Sequence, residues 1–298
     1  MIRVENNEYT KLNSSGLRDS SMEPYSVLMS VYAKDEPAWL QQAVQSMCAQ
    51  SYLPSQFVLV EDGKLTEGLY AVIEDLSKNS EVPFDIIQIP VNGGLGPALN
   101  EGLKHCRDDL VARMDADDIS LPDRCFVQVA YMMKHPECSV LSGTILEFEG
   151  NVPVDVRHCA KKVVPLTDHE IRKYAVSRNP MNHPCVMFRK SAVIGAGGYN
   201  KVPLFEDYDL WLRMLFEKNM RMANLKEPLL LMRTDDMYER RGGISYVKHM
   251  MRFRRAMYQK GYVGLWKHVC ITAARAVVGL LPGGMRKKIY QRKLRNDS

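Results

Sequence analysis

Arg113-Met114-Asp115-Ala116-Asp117-Asp118 crowds three carboxylates directly after a short apolar run. Such crowding is electrostatically unfavourable unless a cation or hydrogen bonds offset it. Hard divalent cations such as Mg²⁺ or Mn²⁺ take oxygen ligands and keep positions open for substrate phosphates, so a pyrophosphate is the natural third party. Asp-x-Asp alone arises by chance about once in a chain this long, and an acidic turn can simply cap the next helix. The setting carries the argument. An apolar strand, Leu110-Val111-Ala112-Arg113-Met114, precedes the run, and a proline-started helix, Leu121-Pro122-Asp123-Arg124, follows it.

Four other places hold chemically capable side chains. Glu206-Asp207, with Asp209, stands just ahead of an amphipathic helix carrying Leu210, Met214 and Leu215, where first-turn carboxylates also complement the helix dipole. Trp211 offers an apolar wall for a ring or simply a core side chain. Asp62-Gly63 follows a strand and reads equally as an ordinary turn. His183, in Asn182-His183-Pro184-Cys185, sits at a strand entry, where a lone histidine is more often structural. Residues 233–243 (RTDDMYERRGG) gather charge, an aromatic and two glycines after an apolar strand, the composition of a solvated loop.

The elements that must position these groups alternate. Tyr25 to Tyr32 is an apolar run rich in strand formers, and Asp35 and Pro37 then open a helix with Leu40, Ala43, Val44, Met47 and Cys48 on one face. Strand Phe57 to Glu61, a helix with Leu69, Val72, Ile73 and Leu76 inward, and strand Phe84 to Ile89 follow. The turn Asn92-Gly93-Gly94 leads into a helix to about Cys106 and then to the strand before the acidic run. Strands alternating with amphipathic helices imply an α/β fold, a mainly parallel sheet wrapped on both faces. Such sheets bind ligands at the carboxyl ends of their strands, which selects residues 32–36, Asp62-Gly63, residues 92–95 and residues 115–118. Beyond Pro122 the alternation weakens, with a helix to about His135 and a strand Ser139 to Phe148.

Taken together, five stretches resemble the family 2 glycosyltransferases of GT-A fold, a group with many bacterial O-antigen and capsule sugar transferases. They are the opening strand Val27–Tyr32, Val60-Glu61-Asp62-Gly63, Asn92–Gly96 with Asn100-Glu101-Gly102, Ala112–Asp118, and Phe205–Trp211. The resemblance implies that Tyr32 and Asp62 flank the uracil of a UDP-sugar donor, that Asp115 approaches the ribose, and that Asp117 ligates a Mn²⁺ or Mg²⁺ bridging the diphosphate. Asp115 is the second expected metal ligand. Ser30, Asn92, Gly94, Arg113 and Ala116 complete the expected donor site. Asp207 is implied as the general base that deprotonates the acceptor hydroxyl, with Glu206 beside it. His183 would lie near the diphosphate or acceptor, as would Trp211. Tyr238, Arg240 and Arg241 match a flexible segment in transferases that extend lipid-linked units, where arginines clamp a diphosphate. Many relatives carry a basic residue before the asparagine of the third motif, whereas Leu99 precedes Asn100 here.

Charge is unevenly divided. Of the net +5 over 298 residues, the stretch from Arg252 onward holds twelve Lys or Arg against one acid, Asp297, so the remainder is net negative. Val269 to Leu281 is apolar but too short to span a bilayer. With Leu265 and Trp266 before it and basic residues after it, it reads as a helix lying on an anionic membrane surface. Its basic residues interleave with aliphatic rather than stacking aromatic side chains, which argues against nucleic acid. Seven scattered cysteines, an odd count without CxxC spacing, argue against a disulfide framework and a zinc site. Residues before Met22 lack an apolar signal core, so the expected location is peripheral, at the cytoplasmic face of a bacterial inner membrane.

The expected organisation is a polar extension (1–22), a nucleotide-sugar half (23–120), an acceptor half (121–250) and a basic helical tail (251–298). The expected activity is inverting transfer of a hexose, glucose or galactose favoured, from a UDP-sugar to a polyprenyl-diphosphate-linked saccharide. The resemblance favours an N-acetylhexosamine acceptor and a β1,3 linkage. A sugar-phosphate nucleotidyltransferase would need a glycine-rich loop after the first strand, and Val31-Tyr32-Ala33-Lys34-Asp35 contains no glycine. An inactive membrane-surface scaffold would have little reason to keep Asp115, Asp117 and Asp207 together.

Overall fold

The computed structural model describes residues 22–150, 152, 154–235, 242–286 and 289. In chain order, β1 (Tyr25–Val31), α1 (Pro37–Cys48), β2 (Gln56–Asp62), α2 (Glu67–Asn79), β3 (Phe84–Ile89), α3 (Leu95–His105) and β4 (Leu110–Met114) form the expected alternation. Then come β5 (Ile119–Ser120), α4 (Arg124–Lys134), β6 (Cys138–Phe148), β7 (Ala160–Lys162), α5 (Asp168–Ala175), β8 (Met187–Arg189) and α6 (Lys190–Gly195). Last are α7 (Glu206–Leu212), β9 (Arg221–Arg233), α8 (Gly243–Gln259) and α9 (Leu265–Leu280).

One sheet runs through both halves in the order β3-β2-β1-β4-β8-β6-β9-β5, with β7 paired to β6. β3, β2, β1 and β4 are mutually parallel, β8 is antiparallel to β4 and β6, and β6 is parallel to β9. The chain beyond Pro122 thus adds strands to the same sheet instead of starting a separate layer. The sequence places a strand after His183, but the insertion of that strand, β8, between β4 and β6 is a property of the tertiary pairing.

Alternate residues of a strand face opposite sides. Val27, Met29, Phe57 and Leu59 accordingly join one core with Leu40, Val44 and Met47 of α1, Leu69 of α2 and Val129 of α4. Leu28, Val58 and Val60 join the other, with Leu99 and Leu103 of α3, Ile171 of α5, Leu210 and Trp211 of α7, and Met250 and Phe253 of α8. Both faces are covered, and β1 and β2 are accordingly buried almost throughout. The expected tail boundary at residue 250 falls inside α8. That helix buries Tyr246, Val247, Met250, Phe253 and Met257 against the body, so the tail begins as part of the core. Among the described residues no helix is long and apolar enough to cross a membrane. All seven cysteines are free.

Candidate active site

Register sets the site. Val31 pairs with Glu61 and Met29 with Met114, so the segments that follow β1, β2 and β4 emerge side by side at the carboxyl ends of neighbouring strands. Tyr32, Asp62 and Asp115 are thereby brought together, with half-buried Ser30 near the end of β1.

Asp62 organises its neighbours. Its Oδ1 accepts the Gly93 N–H at 2.7 Å and its Oδ2 the Gly94 N–H at 2.9 Å, while Asn92 Nδ2 donates to its carbonyl at 3.0 Å. Gly63 has φ +86°, and a Cβ there would meet the Asn92 backbone nitrogen at 2.9 Å, so glycine is required for the close approach. Gly94, at φ +88°, caps α3. Asp62, Asn92 and Gly94 are therefore one hydrogen-bonded unit. Asp35 does not cap α1, as its position in the sequence had implied. Its Oδ2 accepts the Tyr32 N–H at 2.9 Å and closes the turn after β1, while the N-cap residue is Glu36, without a side-chain cap bond. Leu99, in the place where a cation was in question, is fully buried in the core.

The acidic turn is held from two directions. Arg113, buried on β4, donates through Nη1 to Asp115 Oδ2 at 2.6 Å and through Nη2 to Asp115 Oδ1, a forked pair. From the end of β9, Arg233 donates its N–H to Asp118 Oδ1 at 2.9 Å and its Nε to the Asp117 carbonyl at 3.1 Å. The Arg233 guanidinium also bonds Gly150 O and Gln42 Oε1 and lies over the Trp39 and Phe148 rings, 4.5 and 4.7 Å from their centroids. Arg124 of α4 fixes the strand itself, donating to the Arg113 carbonyl at 2.6 Å. Ala116, within the turn, is buried.

Carboxylate oxygens of Asp115, Asp117 and Asp118 lie within 4.8 Å of one another. Burial pushes the Asp118 carboxyl well above its usual range, and the neighbouring Asp117 and Asp115 push it further. Its Oδ2 is buried with no hydrogen-bond partner. Three clustered carboxylates, one of which carries an orphaned oxygen, fit a hard divalent cation. Asp118 thus joins the expected Asp115 and Asp117 as a candidate ligand.

Asp207 sits in the first turn of α7, half-buried. Its Oδ2 accepts from Asn179 Nδ2 at 2.6 Å and its Oδ1 from the Tyr208 N–H at 2.7 Å. Removal from water raises its pKa, opposed by those two bonds and by the charges of Arg113 and Lys162. Glu206 beside it is raised by burial too. Asp209 serves structure, its Oδ2 accepting from Arg213 Nε and Asn200 Nδ2, each at 2.8 Å. His183 Nε2 lies 3.0 Å from the Tyr199 hydroxyl. Burial, and then the charge of Arg113, holds this imidazole well below its ordinary pKa, so it is neutral. Trp211 is fully buried with its ring edge-on to His183, in the core instead of lining the cleft. Asn100 clasps the Tyr199 backbone, donating to its carbonyl at 2.7 Å and accepting its N–H at 2.8 Å. Tyr238, Arg240 and Arg241 lie outside the described residues.

Asn179 and Arg233 were missed by sequence reasoning. Asn179 lies in no recognisable motif. Arg233 was visible as the first residue of the charged stretch 233–243, yet nothing local showed that it reaches back to the acidic turn.

The family description "Glycosyl transferase family 2" matches residues 26–195. An uncharacterized glycosyltransferase of Haemophilus influenzae is 40% identical over 272 residues, 91% of this chain and 99% of the relative. A UDP-Gal:alpha-D-GlcNAc-diphosphoundecaprenol beta-1,3-galactosyltransferase of Escherichia coli is 35% identical over 272 residues, 91% of this chain and 96% of its own. Among solved structures, a mannosyltransferase of Pyrobaculum calidifontis in complex with GDP-Man and Mn²⁺ shares the fold, with TM-score 0.59 at 13% identity over 95% of this chain and 86% of that one. The sheet is thus a GT-A sheet, and the chain belongs to glycosyl transferase family 2.

Proposed function

We propose that this glycosyltransferase moves a hexose, galactose or glucose, with inversion, from a UDP-sugar to a polyprenyl-diphosphate-linked N-acetylhexosamine, through a β1,3 linkage. The observation that carries the reading is the pairing of a metal-competent acidic turn with a raised-pKa carboxylate, Asp207, both within reach of the Arg113 charge. The printed activity of the Escherichia coli relative supports the donor and acceptor classes.

Asp115, Asp117 and Asp118 would hold Mn²⁺ or Mg²⁺, which when bound supplies positive charge to the donor diphosphate and favours its departure. Tyr32 and the Asp62–Gly94 unit bind the nucleoside. Asp207 takes the proton from the acceptor hydroxyl as that oxygen attacks the anomeric carbon, and its raised pKa makes it the stronger base. Arg113 orients Asp115 and contributes fixed positive charge between the two carboxylate sites. In this reading exposed Leu265, Trp266, Val269, Val277 and Leu280 of α9, with the basic residues around them, lie on an anionic membrane at its cytoplasmic face; the exposed apolar face of the helix supports the membrane contact.

The test is a panel of UDP-sugars with a synthetic GlcNAc-diphosphate-lipid acceptor, read as UDP release and as the anomeric configuration of the product. UDP-galactose or UDP-glucose should be turned over to a β-linked disaccharide. A product retaining the donor's α configuration would overturn the single-displacement reading.

A further inference from the structure

The last carbonyls of an α-helix have no partner within the helix. At the end of α5, three consecutive carbonyls are each met by a side chain from a different helix of the C-terminal half. Tyr208 Oη of α7 donates to Ala175 O at 2.6 Å, Arg254 Nη1 of α8 to Val176 O at 3.1 Å, and Arg275 Nη2 of α9 to Ser177 O at 2.9 Å. Two residues further on, Asn179 holds Asp207 Oδ2. From the other side, Phe253 of α8 stacks on Phe205, with ring centroids 4.7 Å apart and planes 5° apart, and meets Tyr208 at 5.0 Å. Phe205 and Tyr208 flank Glu206-Asp207 in sequence. Adjacent residues of one helix therefore grip both segments that carry the base and its partner.

Burying a guanidinium for this purpose is unfavourable. Arg254 is 2% exposed, burial lowers its pKa, the Arg275 charge lowers it further, and its Nη2 has no partner. Tyr246, Val247, Met250 and Met257 already dock α8 through apolar contact. What the two arginines add is directional: they fix where the chain after α5 lies.

We propose that the α8–α9 pair is a positioning element for Asp207, with Phe253, Arg254 and Arg275 setting the angle at which the base meets the acceptor hydroxyl. The proposal rests on the reading of Asp207 as the base. None of the polar contacts just named reaches the acidic turn or the Asp62 unit, so the pair governs turnover and not donor binding.

The full-length protein would be tested as Phe253→Leu, Arg275→Met, Arg254→Met and Arg254→Lys, measuring kcat and KM for sugar transfer and calorimetric UDP binding with Mn²⁺. Because misplacing a reacting group by 1 Å lowers rates about 10²-fold, Phe253→Leu and Arg275→Met should lower kcat about tenfold while UDP affinity stays within about twofold. Arg254→Lys, which keeps one donor for Val176 O, should recover most of what Arg254→Met loses. Folded Phe253→Leu and Arg275→Met variants with wild-type kcat would overturn the proposal, as would a loss confined to UDP affinity or donor KM. Asp207→Asn separates the two readings. If it transfers sugar normally, the assignment of the base fails; if it is inactive while Phe253→Leu and Arg275→Met match wild type, only the positioning role fails.

Discussion

Asn179 and Asp207, 28 residues apart, are joined by a 2.6 Å hydrogen bond from Nδ2 to Oδ2 that holds one face of the candidate base. The bond favours the ionised carboxylate, against the burial that raises its pKa. Removing it in Asn179→Ala should raise the Asp207 pKa further. Transfer requires the deprotonated form, so activity is lost as pH falls through that pKa, and the acid limb of the kcat profile should move to higher pH. A limb that stays in place or moves lower would show that Asp207 is not the group whose ionisation limits turnover.

Arg233→Lys should damage the acidic turn. Lysine is not a planar fork, so it cannot reach the Asp117 carbonyl, Gly150 and Gln42 together while lying between Trp39 and Phe148. Losing charge-assisted bonds at a buried site costs about 1.5–3 kcal/mol, measurable by urea unfolding. The Mn²⁺ concentration for half-maximal UDP release should rise alongside. Unchanged metal dependence would mean that the turn holds its shape without Arg233.

His183 gives a pH dependence of stability with a definite sign. Its native pKa lies well below the ordinary value of about 6.5 because the ring is buried and faces the Arg113 charge. Between those two values the unfolded chain binds a proton that the native state refuses, so stability falls as pH is lowered below about 6.5. Urea midpoints at about pH 7.5 and 5.5 should differ less in His183→Gln than in wild type. An equal or larger difference would place the charged histidine comfortably in the fold.

The exposed apolar face of α9 predicts lipid binding. Trp266 is 80% exposed, an unusual setting for an indole to which no described residue offers a covering surface. Trp266→Ser should weaken sedimentation with anionic vesicles by about tenfold, the scale expected from withdrawing a large side chain from apolar surroundings. Equal sedimentation of the two proteins would remove α9 from the contact.

Local pattern made the first half legible. Apolar runs bounded by turns marked β1 to β4, and the rule that ligands gather at carboxyl ends of strands selects Tyr32, Asp62 and Asp115 from the sequence. What pattern could not show was pairing between distant segments. β8 is three residues long, and its place between β4 and β6 is set by partners more than forty residues away in sequence. Arg233 bonds the acidic turn across 115 residues, and Asn179 has no signature of its own. Trp211 shows the reverse case: its type suited a sugar platform, but the packing of α7 against the core leaves it wholly buried. The Asp35 cap failed for a local reason, since its carboxylate reaches the nearer Tyr32 N–H and closes the preceding turn instead.

The division of labour between the two carboxylate sites is tested most directly by calorimetric UDP binding, with Mn²⁺ present, to Asp117→Ala and Asp207→Asn. Neither should transfer sugar, removal of a general base alone lowering rates by about 10²–10⁴. Asp207→Asn should bind UDP as wild type does, while Asp117→Ala should lose the metal-dependent part of binding. Loss of UDP binding in a folded Asp207→Asn protein would contradict the account.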